Sequence, residues 1–246
     1  MGYEDLMDLF KTRRTIRDVK TDPVPDELVE KVLEAARWAP SGANMQPWEF
    51  VVVRDPQLRA GIVEIINDYR QNEFFMYEAT REDWQGPKWT PETGKKLVMQ
   101  NAPVQILLLG DARTKAGFPM AAQYTDQKMV SLFESTLANA FMYMMLAATS
   151  LGLASFWVSA TKMPSVKARL RMLLGNIPMH MEIYDLFCMG YPAGAPSPKL
   201  FRKKSSMVHY DYCGPDEFSS DQEATDWVIR NRVSRAQIDM SKVPLE

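Results

Sequence analysis

Apolar residues recur with a helical period in some stretches and as short unbroken runs in others, and the two patterns alternate along the chain. In PDELVEKVLEAARWAP, Leu28, Val29, Val32, Leu33 and Ala36 share one helical face, Asp26 and Glu27 favour the helix start, and Pro40 ends it. EFVVV predicts a short buried strand, and DPQLRAGIVEIINDY a second amphipathic helix with Asp55 near its cap. After a break come the strand PVQILLLG, a long helix from about Gln127 to Leu151, the strand ASFWVS, the helix PSVKARLRMLLG and the strand EIYDLFCMG. From Tyr191 onward the chain is rich in loop formers, with one short helix around ATDWVIRNR. No internal repeat, low-complexity tract or shift of composition divides it, so the pattern predicts one α+β domain over residues 1–246.

Two stretches depart from this alternation. Residues 70–98 mix Phe74, Phe75, Tyr77, Trp84 and Trp89 with charges and with the breakers Gly86, Pro87 and Pro91. A segment of that length between regular elements suggests a lid insertion, and residues 209–246 suggest an extended tail. The second stretch, Ser135 to Thr161, contains no charged residue, and its hydropathy alone would allow a membrane span. Asn139, Thr149, Ser150 and Gly152 interrupt it and no basic anchors flank it, so a buried core helix turning into a strand is expected, with no membrane contact.

Composition narrows the picture. A chain of 246 residues that is 46% hydrophobic and 24% charged is long enough to bury a sizeable core. Its 29 basic and 31 acidic residues leave a net charge of -2, so no global positive field favours nucleic acid. The two cysteines, Cys188 and Cys213, cannot build a disulfide framework, and with two histidines no zinc-ligand spacing is evident; no metal is expected. MGYEDLMDLFKTRR lacks the basic start and apolar run of an export signal, which makes the cytoplasm the expected location.

Candidate chemistry begins at KTRRTIRDV, where Arg13, Arg14 and Arg17 bring three guanidinium groups and Thr15 a hydroxyl into five positions. Guanidinium forks suit a phosphate; the alternative is a solvated basic helix end pairing with Glu4 or Asp5. The loop PSGANMQPWEF follows, in which Ser41 and Gly42 let backbone N–H groups approach a ligand, while Asn44 and Gln46 can read polar ring edges. RRTIR followed by PSGANMQPW resembles the nitroreductase superfamily of flavoproteins. The resemblance runs from about Leu6 to Val208 and includes GLASFWVS, MGYPAGAP and the basic FRKK, in the family's order.

The resemblance implies a three-layer α/β/α fold, with a central, mostly antiparallel sheet flanked by helices, in a domain-swapped type of homodimer. It implies FMN as cofactor, held by Arg13, Arg14, Thr15, Arg17 and Arg202 at the phosphate and ribityl or pyrimidine end. Pro40, Ser41, Gly42 and Asn44 would lie along the isoalloxazine, together with Val158 and Ser159, although the deiodinase branch has a different side chain at the Asn44 position. Ser159 matches the deiodinase threonine whose hydroxyl faces the central ring nitrogen, a donor that favours one-electron steps. A serine merely ending a strand is the alternative.

The lid and the flavin loop resemble the iodotyrosine deiodinase branch. Glu73, Tyr77 and Lys96, with Ala43 of PSGA, would hold the substrate: a carboxylate for its ammonium, a phenol and an ammonium for its carboxylate. The Tyr77-to-Lys96 interval is two residues shorter than that branch's, and ordinary surface residues would read the same way. A flavin-fragmenting branch carries an aspartate at the Thr15 position, which sets it aside. The expected function is FMN-dependent reduction of a small aromatic substrate, with dehalogenation of a halotyrosine or halophenol as the narrower reading. Alternatives are an NAD(P)H-dependent nitroaromatic or quinone reductase and a non-catalytic flavin-binding or sensor protein. No GxGxxG fingerprint identifies the reductant, NAD(P)H or another donor.

Overall fold

The computed structural model describes residues 2–74, 76–77, 98–196, 199–202, 204–211 and 213–232. They fall into two compact units. The first comprises Met1–Tyr69 and Lys96–Pro196, the second Arg70–Lys95 and Ser197–Glu246.

The first unit holds helices α1 (Tyr3–Thr12), α2 (Asp26–Arg37), α3 (Pro56–Tyr69), α4 (Met120–Gln123), α5 (Asp126–Ser150) and α6 (Pro164–Leu173). Its strands are β1 (Trp48–Val53), β2 (Val104–Asp111), β3 (Ala154–Val158) and β4 (Met181–Gly190). They form one sheet in the order β1-β2-β4-β3, antiparallel throughout. The predicted elements therefore all form, and two are extended by short turns. α1 was not foreseen, although Tyr3, Leu6 and Phe10 carry its apolar spacing.

Two helix starts have a clear local cause. In α3, the Asp55 carboxylate accepts from the Gln57 and Leu58 backbone N–H groups at 2.8 and 2.9 Å, capping orphan donors of the first turn. α6 places Pro164 at its first position, where a missing N–H costs nothing.

The sheet is buried on both faces. Ile106, Leu108, Phe187 and Met189 join α2 and α5 in one core, around Phe133, Leu137, Phe141 and Met144. Leu107, Leu186 and Cys188 alternate with them and are equally buried, on the face closed by α3 and α6, which pack on each other. The layers are thus α/β/α. Gly110 ends β2 where α5 crosses it: a Cβ there would lie 2.5 Å from the Phe133 ring and 2.8 Å from Leu137.

Among the described residues α5 is the one helix long and apolar enough to cross a bilayer. Its apolar residues are instead used inside the fold, each large one contributing roughly 1.5–3 kcal/mol by burial. Met142 and Tyr143 are left partly exposed on it.

In the second unit, Arg70–Phe74 form a π-turn and α7 spans Asp221–Arg232. The expected tail and residues 70–95 of the expected lid belong to this unit. Residues 78–97 of the lid and 233–246 of the tail lie outside the described residues.

Candidate active site

The arginine-bearing segment is positioned by the edge of the sheet. After α1 the chain turns extended at Arg13 and runs beside β3, the Ile16 N–H donating to the Ser155 carbonyl at 3.2 Å. Thr15 pairs with Ser155 in parallel, and Val19 pairs with Pro192 in antiparallel fashion. This covers backbone groups that an edge strand would otherwise leave open. Arg13 and Arg14 are half-buried, Thr15 and Arg17 exposed. Among the described residues, the side chains of Arg13 and Arg17 have no acidic partner, and Asp5 instead accepts from the Gly2 N–H at 2.7 Å. Pairing with Glu4 or Asp5 therefore does not account for these two guanidiniums.

The loop after α2 is fastened to α5. Asn139 donates to the Pro40 carbonyl at 3.1 Å, and the Gly42 N–H donates to the Thr136 hydroxyl at 3.1 Å. A Cβ at Gly42 would stand 2.6 Å from the ring of buried Phe118, so only glycine fits. Ala43, Asn44 and Gln46 all have positive φ, at 50°, 55° and 43°. Left-handed backbone at such residues costs on the order of 1 kcal/mol each and persists where surroundings impose it. Here the Asn44 N–H donates to the Ser41 carbonyl at 3.1 Å, the Gln46 N–H to Ser41 Oγ at 3.2 Å, and Gln46 Nε2 to Asn44 Oδ1 at 3.0 Å. Asn44 and Gln46 also line a cavity of about 320 Å³ with Glu34, Arg37 and Trp38.

The third piece is the end of β3. Val158 closes the strand half-buried, and Ser159 starts a 3-10 turn, Ala160–Lys162, with its side chain exposed and making no capping bond. The residues around it are firmly held. Trp157 Nε1 donates to Asp185 Oδ2 at 2.6 Å and Thr161 Oγ1 to Asp185 Oδ1 at 3.0 Å. Lys162 pairs with Glu134 of α5 and sits 4.4 Å from the centre of the Tyr184 ring. Burial pushes the Asp185 carboxyl up to about 6, against the opposing effect of its two donors and of Lys162. Burial also raises the Tyr184 phenol, helped by the charges of Asp185 and Glu134. Helix α1, the Gly42–Asn44 turn and β3 all contact α5, so three motifs far apart in sequence converge on one helix.

In the second unit Glu73 is half-buried in the π-turn and Tyr77 is exposed. Lys96, assigned to the first unit, lies outside the described residues. Arg202 donates to the Ser206 carbonyl and the Ser219 hydroxyl, both at 3.2 Å, which are neutral acceptors. His209, Cys213 and Glu217 bring their ligand-type atoms within 4.8 Å of one another, a grouping that sequence spacing did not suggest. His209 is bonded to Glu217 at 3.2 Å, and burial together with the Glu217 charge raises the Cys213 thiol.

Asn139, Thr136, Phe118 and Asp185 escaped the sequence reading of the site. A signal existed for Asp185, the acid that interrupts the apolar run after Glu182 in EIYDLFCMG.

Comparison with known proteins decides the family, since the sequence model of the nitroreductase family matches residues 10–191. The chain belongs to the nitroreductase family. Its class is accordingly that of an FMN-dependent oxidoreductase. Iodotyrosine deiodinase 1 of Rattus norvegicus is 32% identical over 217 residues, covering 85% of this chain and 70% of the relative. Iodotyrosine deiodinase of Nematostella vectensis is 32% identical over 201 residues, 79% of this chain and 70% of the relative. A crystal structure of oxidized iodotyrosine deiodinase bound to FMN and 3-iodo-L-tyrosine aligns over 85% of this chain and 100% of its own, at 25% identity and a TM-score of 0.63. The nitroreductase CinD of Lactococcus lactis, in complex with 4-nitrophenol, shares the fold at 14% identity, with a TM-score of 0.65, 84% of this chain and 100% of its own.

The donor set of this nitroreductase-family protein fits FMN. Arg13 and Arg17 lack acidic partners among the described residues, and the strained loop holds glycine where a Cβ is excluded. Cationic forks suit the phosphate and close backbone approach suits a flat ring.

Proposed function

We propose that this protein is a reductive dehalogenase acting on a halogenated tyrosine or a similar halophenol. The observation that carries the reading is the Ser159 hydroxyl, exposed at the end of β3 on a turn whose neighbours are bonded into the core. It is supported by deiodinase relatives that align over most of the chain. FMN, when bound, supplies the capacity to pass electrons one or two at a time. Arg13, Arg14, Thr15, Arg17 and Arg202 would hold its phosphate end, Pro40, Ser41, Gly42 and Asn44 would line its ring, and Ser159 would offer a hydroxyl to it. Glu73 pairs with the substrate ammonium, while Tyr77 and Lys96 bind the carboxylate and Ala43 lies against the ring.

In the net reaction an aryl carbon–halogen bond breaks and the halide leaves as an anion. A carbon–hydrogen bond forms from one proton of water and two electrons of an external reductant, NAD(P)H or another donor. Excluding water from the ring is the task of the residues around the substrate.

Assembly is part of the proposal. α1 is amphipathic yet buries no residue, leaving Tyr3 72% and Phe10 45% exposed; it contacts α5, which itself leaves Met142 and Tyr143 partly open. A second copy of the chain covers this face, giving a homodimer.

Anaerobic mixing of the reduced protein with a 3-halotyrosine tests the function. Halide and tyrosine should appear in amounts equal to the flavin oxidised. Reoxidation by a nitroaromatic or quinone, with no halide from any halophenol, would make the protein a nitro or quinone reductase instead.

A further inference from the structure

Asp185 is the only buried carboxylate among the described residues, 2% exposed in the buried run from Ile183 to Gly190. A lone buried acid costs stability unless its oxygens are used, so its position calls for a reason. The strand itself is irregular there. β2 pairs Leu109 with Ile183 and then Leu108 with Asp185, so Tyr184 is an extra residue in β4. As a consequence the consecutive side chains of Tyr184 and Asp185 both reach Trp157, the ring centroids of Tyr184 and Trp157 being 6.0 Å apart, which strict alternation along a strand forbids. Such bulges re-aim a side chain.

The re-aimed carboxylate has two partners, and they bracket one residue. Oδ2 accepts from Trp157 Nε1 at 2.6 Å, and Oδ1 accepts from Thr161 Oγ1 at 3.0 Å. Trp157 lies two positions before Ser159 and Thr161 two positions after it. Trp157 is further pinned by stacking on Phe141 of α5 at 3.9 Å, and the Thr161 hydroxyl lies 3.2 Å from the Tyr184 carbonyl. Ser159, between them, makes no capping bond and is exposed. The arrangement immobilises both shoulders of a turn while leaving its central hydroxyl available. A carboxylate suits the task because it alone accepts two donors on two separate oxygens without offering a proton of its own.

We propose that Asp185 is a positioning residue that fixes the direction of the Ser159 hydroxyl toward the flavin by holding Trp157 and Thr161. The proposal rests on the reading of Ser159 given above. Asp185 touches neither cofactor nor substrate in this scheme. Its effect reaches the flavin only through the turn, in the way outlying hydrogen bonds orient the groups that do the contacting.

The test uses full-length, FMN-loaded protein with a 3-halotyrosine bound, and the separation between the two one-electron potentials of the flavin as readout. Ser159→Ala should collapse that separation towards a single two-electron wave. Asp185→Leu should do the same while keeping its FMN, whereas Asp185→Asn, which still accepts from Trp157 and donates to Thr161, should retain the original separation. If Ser159→Ala collapses the separation and Asp185→Leu leaves it intact, the positioning role is overturned. If Ser159→Ala itself changes nothing, the Ser159 reading fails and the proposal fails with it. Should Asp185→Leu not fold, Thr161→Val decides, because it removes one partner at nearly constant volume: a narrowed separation supports the role, and an unchanged one overturns it.

Discussion

Arg13 and Arg17 present guanidinium groups that no acid of the described structure neutralises. Each charge-assisted hydrogen bond to a phosphate contributes roughly 1.5–3 kcal/mol, and about 1.4 kcal/mol is a decade of affinity. The double variant Arg13→Ala/Arg17→Ala should therefore release FMN with a dissociation constant raised about a hundredfold or more, measured by fluorescence of the freed flavin. Asp185 gives a second, independent prediction. Burial favours its neutral form, so the folded protein holds that proton up to about pH 6, whereas the ordinary carboxyl value is 3.8. Between those values the folded state binds more protons than the unfolded one, so the stability present below pH 4 is lost as pH rises through 6. The full shift corresponds to at most about 3 kcal/mol. Asp185→Asn should match the parent near pH 4 and exceed it at pH 7 in denaturant melts. Identical pH profiles, set by Glu134, Lys162 and Tyr184 alone, would contradict this. Residue types in RRTIR and PSGAN were legible because phosphate and ring binding demand particular groups. The helix residues that hold the loop, Thr136 and Asn139, were not legible, since a polar residue in an apolar helix reads equally as an interruption.

At the scale of elements, periodicity placed the predicted helices and strands because each has one face to bury. It did not place the bulge at Tyr184 and Asp185, which depends on how β4 meets β2 and Trp157 rather than on any local pattern. Nor did it find α1, which buries none of its apolar residues, so the stretch reads as easily for its charges. The α3 cap was legible in DPQL, and it yields a test. Asp55→Ala leaves the Gln57 and Leu58 N–H groups without their acceptor and should lower stability by about 1 kcal/mol in chemical denaturation, with no effect on bound FMN. Gly42→Ala should do the reverse. The added Cβ meets the Phe118 ring at 2.6 Å, so the flavin loop must shift, and FMN retention should fall more than global stability does.

For the whole molecule, the proposed dimer rests on apolar residues left exposed on α1 and α5, Tyr3, Leu6, Phe10, Met142 and Tyr143. Leu6→Asp with Phe10→Asp should convert a dimer to a monomer in sedimentation velocity; a parent protein that is monomeric and still binds FMN tightly would remove the dimer from the account. In the proposed function substrate choice rests on Glu73, Tyr77 and Lys96, which the sequence offers by residue type alone, because the shape of an irregular segment comes from packing rather than from a repeating pattern. The central claim is that an amino-acid zwitterion, not just a halogenated ring, is recognised beside the flavin. Titrating the visible absorbance of the bound flavin with 3-iodotyrosine and, separately, with 2-iodophenol measures this most directly. The account predicts that the amino acid binds at least about tenfold more tightly, the value of one charge-assisted bond. Equal affinity for the two ligands would contradict it.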